Sequence, residues 1–272
     1  MRRGCSGSAR RAFAGAALAA LAAMVASAPA GAACDRPLYL TFDTGHMGVA
    51  QLVADVLARQ QVKATFFLAN EKTQGGGGSL DDAWAPWWKV RAAEGHAFGS
   101  HTFDHVYWLA DRPGGGFRVR PSAGPAAGVA ADWTVAQYCA ELRRPAERFQ
   151  AMTGQPMTPA GQPPLFRAPG GKTSTALLAA AAACGWRHVP WSAAGFLGDE
   201  LPSERFPNPA LLARALRDVR PGDILLAHLG IRSRKEPWAP AVLEPLIAGL
   251  KTKGPCFATL REHPRYGARS GS

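Results

Sequence analysis

Five polar side chains in this sequence have the types and spacing that metal-assisted hydrolysis needs. His101 and His105 are four residues apart, which suits one metal ion whether they lie on one helical face or at a strand end and its first turn. Asp43, Arg167 and His228 each end a short apolar run. A carboxylate can serve as a general base and an imidazole as a general acid. The set therefore predicts acid–base chemistry beside a divalent cation.

The elements that must position these side chains alternate between strand and helix. The hydrophobic pattern predicts strands over 38–43, 62–68, 97–100, 165–167, 187–191, 223–228 and 257–260, and helices over 51–60, 83–95, 134–153, 173–184 and 241–251. This order is typical of a parallel α/β barrel, which builds its site at the carboxyl ends of the strands. Taken alone, Asp43 is better explained as the cap of the next helix, and the histidine and arginine motifs further along favour an active-site acid instead. A buried Arg167 needs an acidic partner, and Asp43 is the expected one.

Two segments lack a clear period. Residues 70–82 contain the glycine run 75–78 without the Lys-Ser/Thr ending of a phosphate-binding loop, so we expect a mobile surface loop. Residues 106–132 are rich in glycine and proline. They predict either a functional loop, in which Tyr107 and Trp108 line a sugar-binding cleft, or a solvated excursion.

The N-terminal residues 1–33 have the features of an export signal. Basic side chains, including Arg10 and Arg11 in a twin-arginine-like pair, precede an alanine- and leucine-rich run over 12–28. Small residues that suit cleavage follow this run. We therefore predict a cleaved signal, one domain over 34–272, a periplasmic or secreted location, and no transmembrane segment in the mature chain.

Net charge and cysteine content indicate which binding partners to expect and whether the protein works in an oxidising compartment. The formal net charge is +11, and it falls to +7 when the four arginines of the predicted signal are removed. This basic charge suggests attraction to anionic envelope polymers or to membrane surfaces. The basic residues are scattered and no nucleic-acid-binding motif is present, so nucleic acid is excluded as the expected partner. Cys34, Cys139, Cys184 and Cys256 allow two disulfides in any of three pairings, with a lipid on Cys34 as an alternative.

Four short motifs occur in the order of a known enzyme family. They are TFDTG at 41–45, HTFDH at 101–105, RAPGG at 167–171 and LAH at 226–228. In this order they resemble the NodB-homology polysaccharide deacetylases, carbohydrate esterase family 4, over roughly residues 36–266. The resemblance implies a distorted (β/α) barrel.

The resemblance also implies roles for the residues. Asp43 matches the family's catalytic base, Arg167 the residue that orients the base, and His228 the general acid. His101 and His105 match two ligands of a divalent metal, most often Zn²⁺.

A second group of residues is implied in substrate binding. Leu226 matches a wall of the acetyl pocket, while Pro169 and Gly170 belong to the turn whose backbone would face the reacting carbonyl. Tyr107 and Trp108 are the candidate sugar contacts in the segment that follows the histidines.

Two positions depart from the family pattern. Thr44 stands where the family commonly has a second acid as third metal ligand, and the Thr44 hydroxyl, a water molecule or His46 could fill the gap. After Trp191 the family usually has an Asp-Trp pair that supports the arginine and the histidine. Here residues 192–196 read SAAGF, and the nearest acid is Asp199.

Together these features predict an exported metal-dependent deacetylase that acts on N-acetylated sugars of peptidoglycan or an exopolysaccharide. Because Thr44 and the missing Asp-Trp pair weaken the site, the alternative is an inactive carbohydrate-binding protein on the same fold. Hydrolysis of a different amide is a third possibility.

Overall fold

A computed structural model describes residues 34–268, and the predicted export signal lies outside them. The strands are β1 (Pro37–Asp43), β2 (Thr65–Leu68), β3 (Ala97–Ser100), β4 (Val106–Asp111), β5 (Phe117–Pro121), β6 (Ala131–Trp133), β7 (Leu165–Phe166), β8 (Arg187–His188), β9 (Ile224–His228) and β10 (Cys256–Phe257). The helices are α1 (Ala50–Arg59), α2 (Ala85–Ala93), α3 (Val135–Thr153), α4 (Thr175–Ala183), α5 (Asn208–Asp218) and α6 (Leu243–Thr252). Most follow the predicted order, and α5 was missed by the sequence pattern.

Seven strands form one curled parallel sheet. Its order is β10, β1, β2, β3, β7, β8, and β9 pairs with β1 beyond the part that β10 covers. Every pairing in this sheet is parallel, as short strands joined by helices require. This arrangement is the distorted (β/α) barrel that the sequence predicts.

Strand β1 pairs with three neighbours, β2, β9 and β10, and its alternation decides which of its side chains reach the site. Successive residues of a strand point to opposite faces. Leu38, Leu40 and Phe42 pack into the main hydrophobic core with the helices. Thr41 and Asp43 therefore point to the opposite face of the sheet, and both are buried there.

Helix α3 shows how local sequence sets an element's ends. Thr134 caps its first turn by accepting a hydrogen bond from the Gln137 backbone N–H, and the Gln137 side chain accepts one from the Thr134 N–H in return. Gly154 ends the helix in the left-handed conformation. The predicted bounds, 134–153, agree with the observed ones to one residue.

Residues 106–132 are not the irregular loop that the sequence predicts. They form a three-stranded antiparallel sheet in the order β4, β5, β6, with a bulge in β4 between Trp108 and Ala110. Phe117 and Val119 of β5 are buried against the side chains of α3 and α4. The glycines and prolines lie in the connections, where they obscured the short alternating strands.

Two disulfides fix the pairing that the sequence left open. Cys34 bonds to Cys256 and Cys139 bonds to Cys184. The first pair closes a loop across almost the whole described chain, and it uses the thiol that a lipid on Cys34 would need. Within residues 34–268 no helix is long and apolar enough to cross a membrane.

Candidate active site

The parallel register brings the predicted catalytic residues to one edge of the sheet. Asp43 ends β1 and is the register partner of His228, which ends β9. His101 follows β3, where its backbone N–H donates to the Leu68 carbonyl at 2.8 Å, and Arg167 follows β7. The carboxyl ends of parallel strands thus supply all four side chains, as expected for a site of this architecture.

Asp43 and Arg167 form a buried ion pair. Arg167 Nη1 donates to Asp43 Oδ1 at 2.9 Å and to Thr41 Oγ1 at 2.8 Å, while its Nε donates to the Val189 carbonyl at 3.2 Å. Burial raises the pKa of Asp43, but the charges of Arg167 and His228 outweigh it and leave that pKa below its ordinary value. The Asp43 carboxylate is therefore ionised, and Arg167 holds it through Oδ1. Its other oxygen, Oδ2, lies 3.4 Å from His101 Nε2.

The two histidines of the HTFDH motif lie on a tight turn and have fixed tautomers. Thr102 and His105 adopt positive φ angles, 59° and 48°, which bring the rings to 4.9 Å centroid separation. His101 Nδ1 lies 2.9 Å from the Arg167 carbonyl, so this nitrogen carries the proton and Nε2 keeps its lone pair. Burial chiefly lowers the pKa of His101 to about 4, so its ring is neutral.

His105 is arranged in the same way. Its Nδ1 contacts Ser122 Oγ, whose hydroxyl donates to the His105 carbonyl at 3.1 Å. The serine oxygen therefore accepts the Nδ1 proton, and Nε2 of His105 is left as a donor for a cation. Ser122 lies just beyond β5, so the small antiparallel sheet positions one member of the site.

Thr44 is coupled to an acid that the sequence analysis missed. Its hydroxyl donates to Glu71 Oε2 at 2.7 Å and accepts from the Ala69 N–H at 3.2 Å. The Gly45 N–H donates to the same Glu71 oxygen at 2.6 Å. Burial raises the pKa of Glu71, yet His105, His101 and these hydrogen bonds bring it below its ordinary value. Glu71 was hidden because it lies in the glycine-rich segment interpreted as a surface loop.

Gly45 shows why a glycine follows Thr44. Its φ is +68°, and a Cβ at this position would lie 2.2 Å from the Gly230 carbonyl oxygen. Only glycine allows the backbone after β1 to turn this closely against the segment after β9.

Asp199 supports His228 although it does not occupy the family's usual position. His228 Nδ1 lies 3.1 Å and 3.2 Å from the two Asp199 carboxylate oxygens, and the His228 backbone N–H donates to Oδ2 at 2.6 Å. Burial lowers the pKa of His228, but Asp199, Asp43 and Glu200 outweigh it and raise that pKa to about 9. His228 is thus a protonated imidazolium near neutral pH, which is the form that a general acid needs.

These groups surround a small cavity of about 160 Å³. Its lining consists of Asp43, Glu71, His101, His105, Tyr107, Gly170, Trp191, Glu200, Leu226, His228 and Ile231. Three of the predicted substrate contacts, Tyr107, Gly170 and Leu226, are among them. Pro169 is buried outside the lining, and Trp108 instead donates its indole N–H to Asp111 Oδ1 at 3.1 Å.

His46, weighed above as a substitute ligand, faces elsewhere. It lines a second cavity of about 310 Å³, which shares only His228 and Ile231 with the first among the residues that the structure describes. Its Nδ1 accepts from the Gly48 N–H at 3.0 Å.

The donor set of the small cavity fits a divalent cation. Two imidazoles whose Nδ1 atoms are hydrogen-bonded present their Nε2 atoms, and a carboxylate lies beside them, a combination that Zn²⁺ and similar ions accept. Across residues 34–268 no three His, Cys, Asp or Glu side chains already converge into a ready-made metal cluster.

Comparison with known proteins agrees with the motifs. The model of the family described as polysaccharide deacetylase matches residues 30–189. A chitooligosaccharide deacetylase from Azorhizobium caulinodans is 30% identical over 71% of this chain and 73% of its own length. A peptidoglycan-N-acetylglucosamine deacetylase from Bacillus cereus is 24% identical over 85% of this chain and 90% of its own length.

Solved structures share the fold. A family 4 acetyl xylan esterase from Clostridium thermocellum, in complex with a cobalt ion, has a TM-score of 0.61 and 22% identity over 84% of this chain and 90% of that chain. A family pseudoenzyme from Bacillus anthracis has a TM-score of 0.59 and 17% identity over 84% of this chain and 65% of that chain. On the family match and the 30% identical relative, this chain belongs to the polysaccharide deacetylases of carbohydrate esterase family 4.

Proposed function

We propose that this protein is an exported, metal-dependent deacetylase that hydrolyses N-acetyl groups on amino sugars of peptidoglycan or an exopolysaccharide. The observation that carries the proposal is the opposition of Asp43 and His228 on paired strand ends, one an ionised base and the other a protonated acid. The named substrates of the relatives, peptidoglycan and chitooligosaccharides, support the substrate class. The basic charge suits an anionic envelope polymer.

The reaction follows from these two groups. Asp43 Oδ2 takes a proton from the attacking water, while Arg167 keeps Oδ1 in place. The new C–O bond forms at the acetyl carbon, and the C–N bond breaks as His228 delivers its proton to the leaving nitrogen. The products are acetate and the free amine of the sugar.

A divalent ion held by His101 and His105 would supply Lewis-acid polarisation of the amide carbonyl, for which Zn²⁺ is the expected species. The protein's own contribution is to orient both imidazoles through their Nδ1 atoms. The carbonyl of Arg167 does so for His101, and Ser122 does so for His105.

Leu226 and Trp191 give the cavity an apolar wall beside the charged groups, where the acetyl methyl group would lie. Tyr107 and Glu200 also line the cavity, so they are the candidate contacts for the sugar.

The test is acetate release from N-acetylglucosamine oligomers by the purified protein. We expect release by the wild type, its loss on chelation and recovery with Zn²⁺. Asp43→Asn should lower it by about 10²–10⁴-fold. Asp218→Asn, a matched change of an exposed side chain, should leave it unchanged. A wild type that retains the oligomer but releases no acetate would instead be a carbohydrate-binding protein without turnover.

A further inference from the structure

We propose that Glu71 supplies the metal ligand that Thr44 cannot, so that the ligand set of this chain is Glu71, His101 and His105. This inference rests on the proposed function, because it concerns the cation of the same site. It assigns to Thr44 a different task, which is to hold the glutamate in place.

The pairing of β1 and β2 sets Glu71 beside Thr44. Asp43 is the register partner of Phe67, and the next backbone N–H along β1, that of Thr44, donates to the Phe67 carbonyl at 3.2 Å. The Ala69 N–H returns a hydrogen bond to the Thr44 hydroxyl. The two strand ends are thus joined, and Glu71 follows Ala69 by two residues.

The glutamate is oriented through one oxygen only. Oε2 accepts from Thr44 Oγ1 at 2.7 Å and from the Gly45 N–H at 2.6 Å. Oε1 accepts no hydrogen bond from the residues that the structure describes, and the side chain lines the cavity that His101 and His105 also line. One carboxylate oxygen is therefore fixed while the other is left for a cation.

The segment that carries Glu71 is held firmly although it contains a glycine run. The Glu71 N–H donates to Ser79 Oγ at 3.1 Å, and the Ser79 N–H donates to the Glu71 carbonyl at 2.9 Å. Ser79 is fully buried and its hydroxyl donates to the Ala69 carbonyl at 2.5 Å. A bridge between Lys72 and Gly78 closes the turn. The glycines 75–78 form the tip of a hairpin that presents Glu71.

The hydroxyl of Thr44 is poorly placed to be a ligand itself. Its hydrogen points to Glu71 and one lone pair accepts from Ala69. A carboxylate also neutralises part of the charge of a dication, which a neutral hydroxyl does not. Moving the acid from the end of β1 to the loop after β2 keeps one negative charge in the ligand set.

The test measures metal affinity rather than turnover. Zn²⁺ is titrated into the metal-free wild type, Glu71→Gln and Glu200→Gln by calorimetry, with a parallel Co²⁺ titration followed by its visible absorption spectrum. Glu200→Gln is the matched control, because it removes a carboxylate from the same cavity without touching Thr44. Thermal melts of the metal-free proteins check that each variant is folded.

We expect about one Zn²⁺ per wild-type chain and at least about 100-fold weaker binding by Glu71→Gln, since losing even a partner of a ligand costs 10–100-fold. Glu200→Gln should stay within a few-fold of the wild type. The double variant Thr44→Asp with Glu71→Gln should regain most of the affinity, because it returns the acid to the end of β1.

The outcomes separate this inference from the proposed function. A wild type that binds Zn²⁺ and a folded Glu71→Gln that binds it equally well would refute the ligand role of Glu71 and leave the proposed function standing. Equal losses in Glu71→Gln and Glu200→Gln would also refute it, since the effect would then be general charge removal. A wild type that binds neither metal would refute both.

Discussion

Replacing Asp199 by asparagine should change how the activity depends on pH. The side chain accepts hydrogen bonds from both Nδ1 and the backbone N–H of His228, and asparagine keeps an oxygen there while losing the charge. Asp199 is the largest influence that raises the pKa of His228 to about 9. Without the Asp199 charge, burial should lower the pKa of His228 from about 9 to the ordinary value of 6.5 or below.

The size of the effect follows from the protonated fraction of His228. With a pKa of about 9, about 90% of the imidazole is protonated at pH 8, whereas with a pKa of about 6.5 only about 3% is. The variant should therefore be about 30-fold slower at pH 8 and less than about 2-fold slower at pH 6, apart from any pH-independent loss. A general acid is needed in its protonated form, so the alkaline limb of the profile moves to lower pH.

The assay is acetate release at saturating Zn²⁺ from pH 5.5 to 9.5, with the variant-to-wild-type ratio taken at each pH. Asp218→Asn is the control, because that carboxylate pairs with Arg217 on the surface. A constant ratio across the range would refute the role of Asp199 in the charge of His228 and leave it a packing role alone.

Stability offers an independent check with a definite sign. The folded-state pKa of His228 is raised, so the pair stabilises the fold fully below pH 6.5 and loses that contribution as pH rises through about 9. The difference in melting temperature between the wild type and Asp199→Asn should therefore shrink toward pH 9.5.

Three further predictions test a buried ion pair, a disulfide and a tight turn that hold the site in place. Arg167→Met should lower the free energy of unfolding by about 3–5 kcal/mol in urea titrations, because Asp43 is left as a buried unpaired charge; adding Asp43→Asn should recover part of the loss, and a purely additive pair would contradict the coupling. Cys139→Ala with Cys184→Ala should cost about 2–4 kcal/mol by the same measurement, and an unchanged midpoint would show that this bond adds nothing. Gly170→Ala should raise KM several-fold in the acetate assay, because a Cβ there would lie 2.9 Å from a tyrosine ring in a backbone with φ of +62°; an unchanged KM would place the sugar elsewhere.

The sequence predicts the site residues well where an apolar strand is followed directly by a single polar side chain. Asp43, His101, Arg167 and His228 each follow an apolar run, and parallel strands bring such endings to one edge whatever the details of the turns. The contact between Arg167 and Asp43 follows from the cost of burying a lone arginine, and it is present at 2.9 Å. For these positions local pattern and global fold agree.

The failures have a common physical cause, which is that the deciding contacts are not local. The strands of residues 106–132 are short and gain their stability from burial against α3 and α4, which no window of that segment reveals. Glu71 has no sequence pattern of its own. Only the lateral pairing of β1 with β2 shows that it lies beside Thr44.

The two departures from the family pattern bear on whether this chain is an enzyme, and both are met by acids from neighbouring segments. Glu71 lies where the acid is missing from the end of β1, and Asp199 holds His228 although the Asp-Trp pair is absent. A chain that had simply lost its chemistry would have no reason to keep one buried and one half-buried carboxylate at the site, because burying a charge is costly unless it is paired. Within residues 34–268, the hydrogen bonds of each carboxylate come only from side chains of the site and the backbone that carries them. A replaced residue in a motif therefore argues for lost activity only after the structure has been searched for a substitute from an adjacent strand.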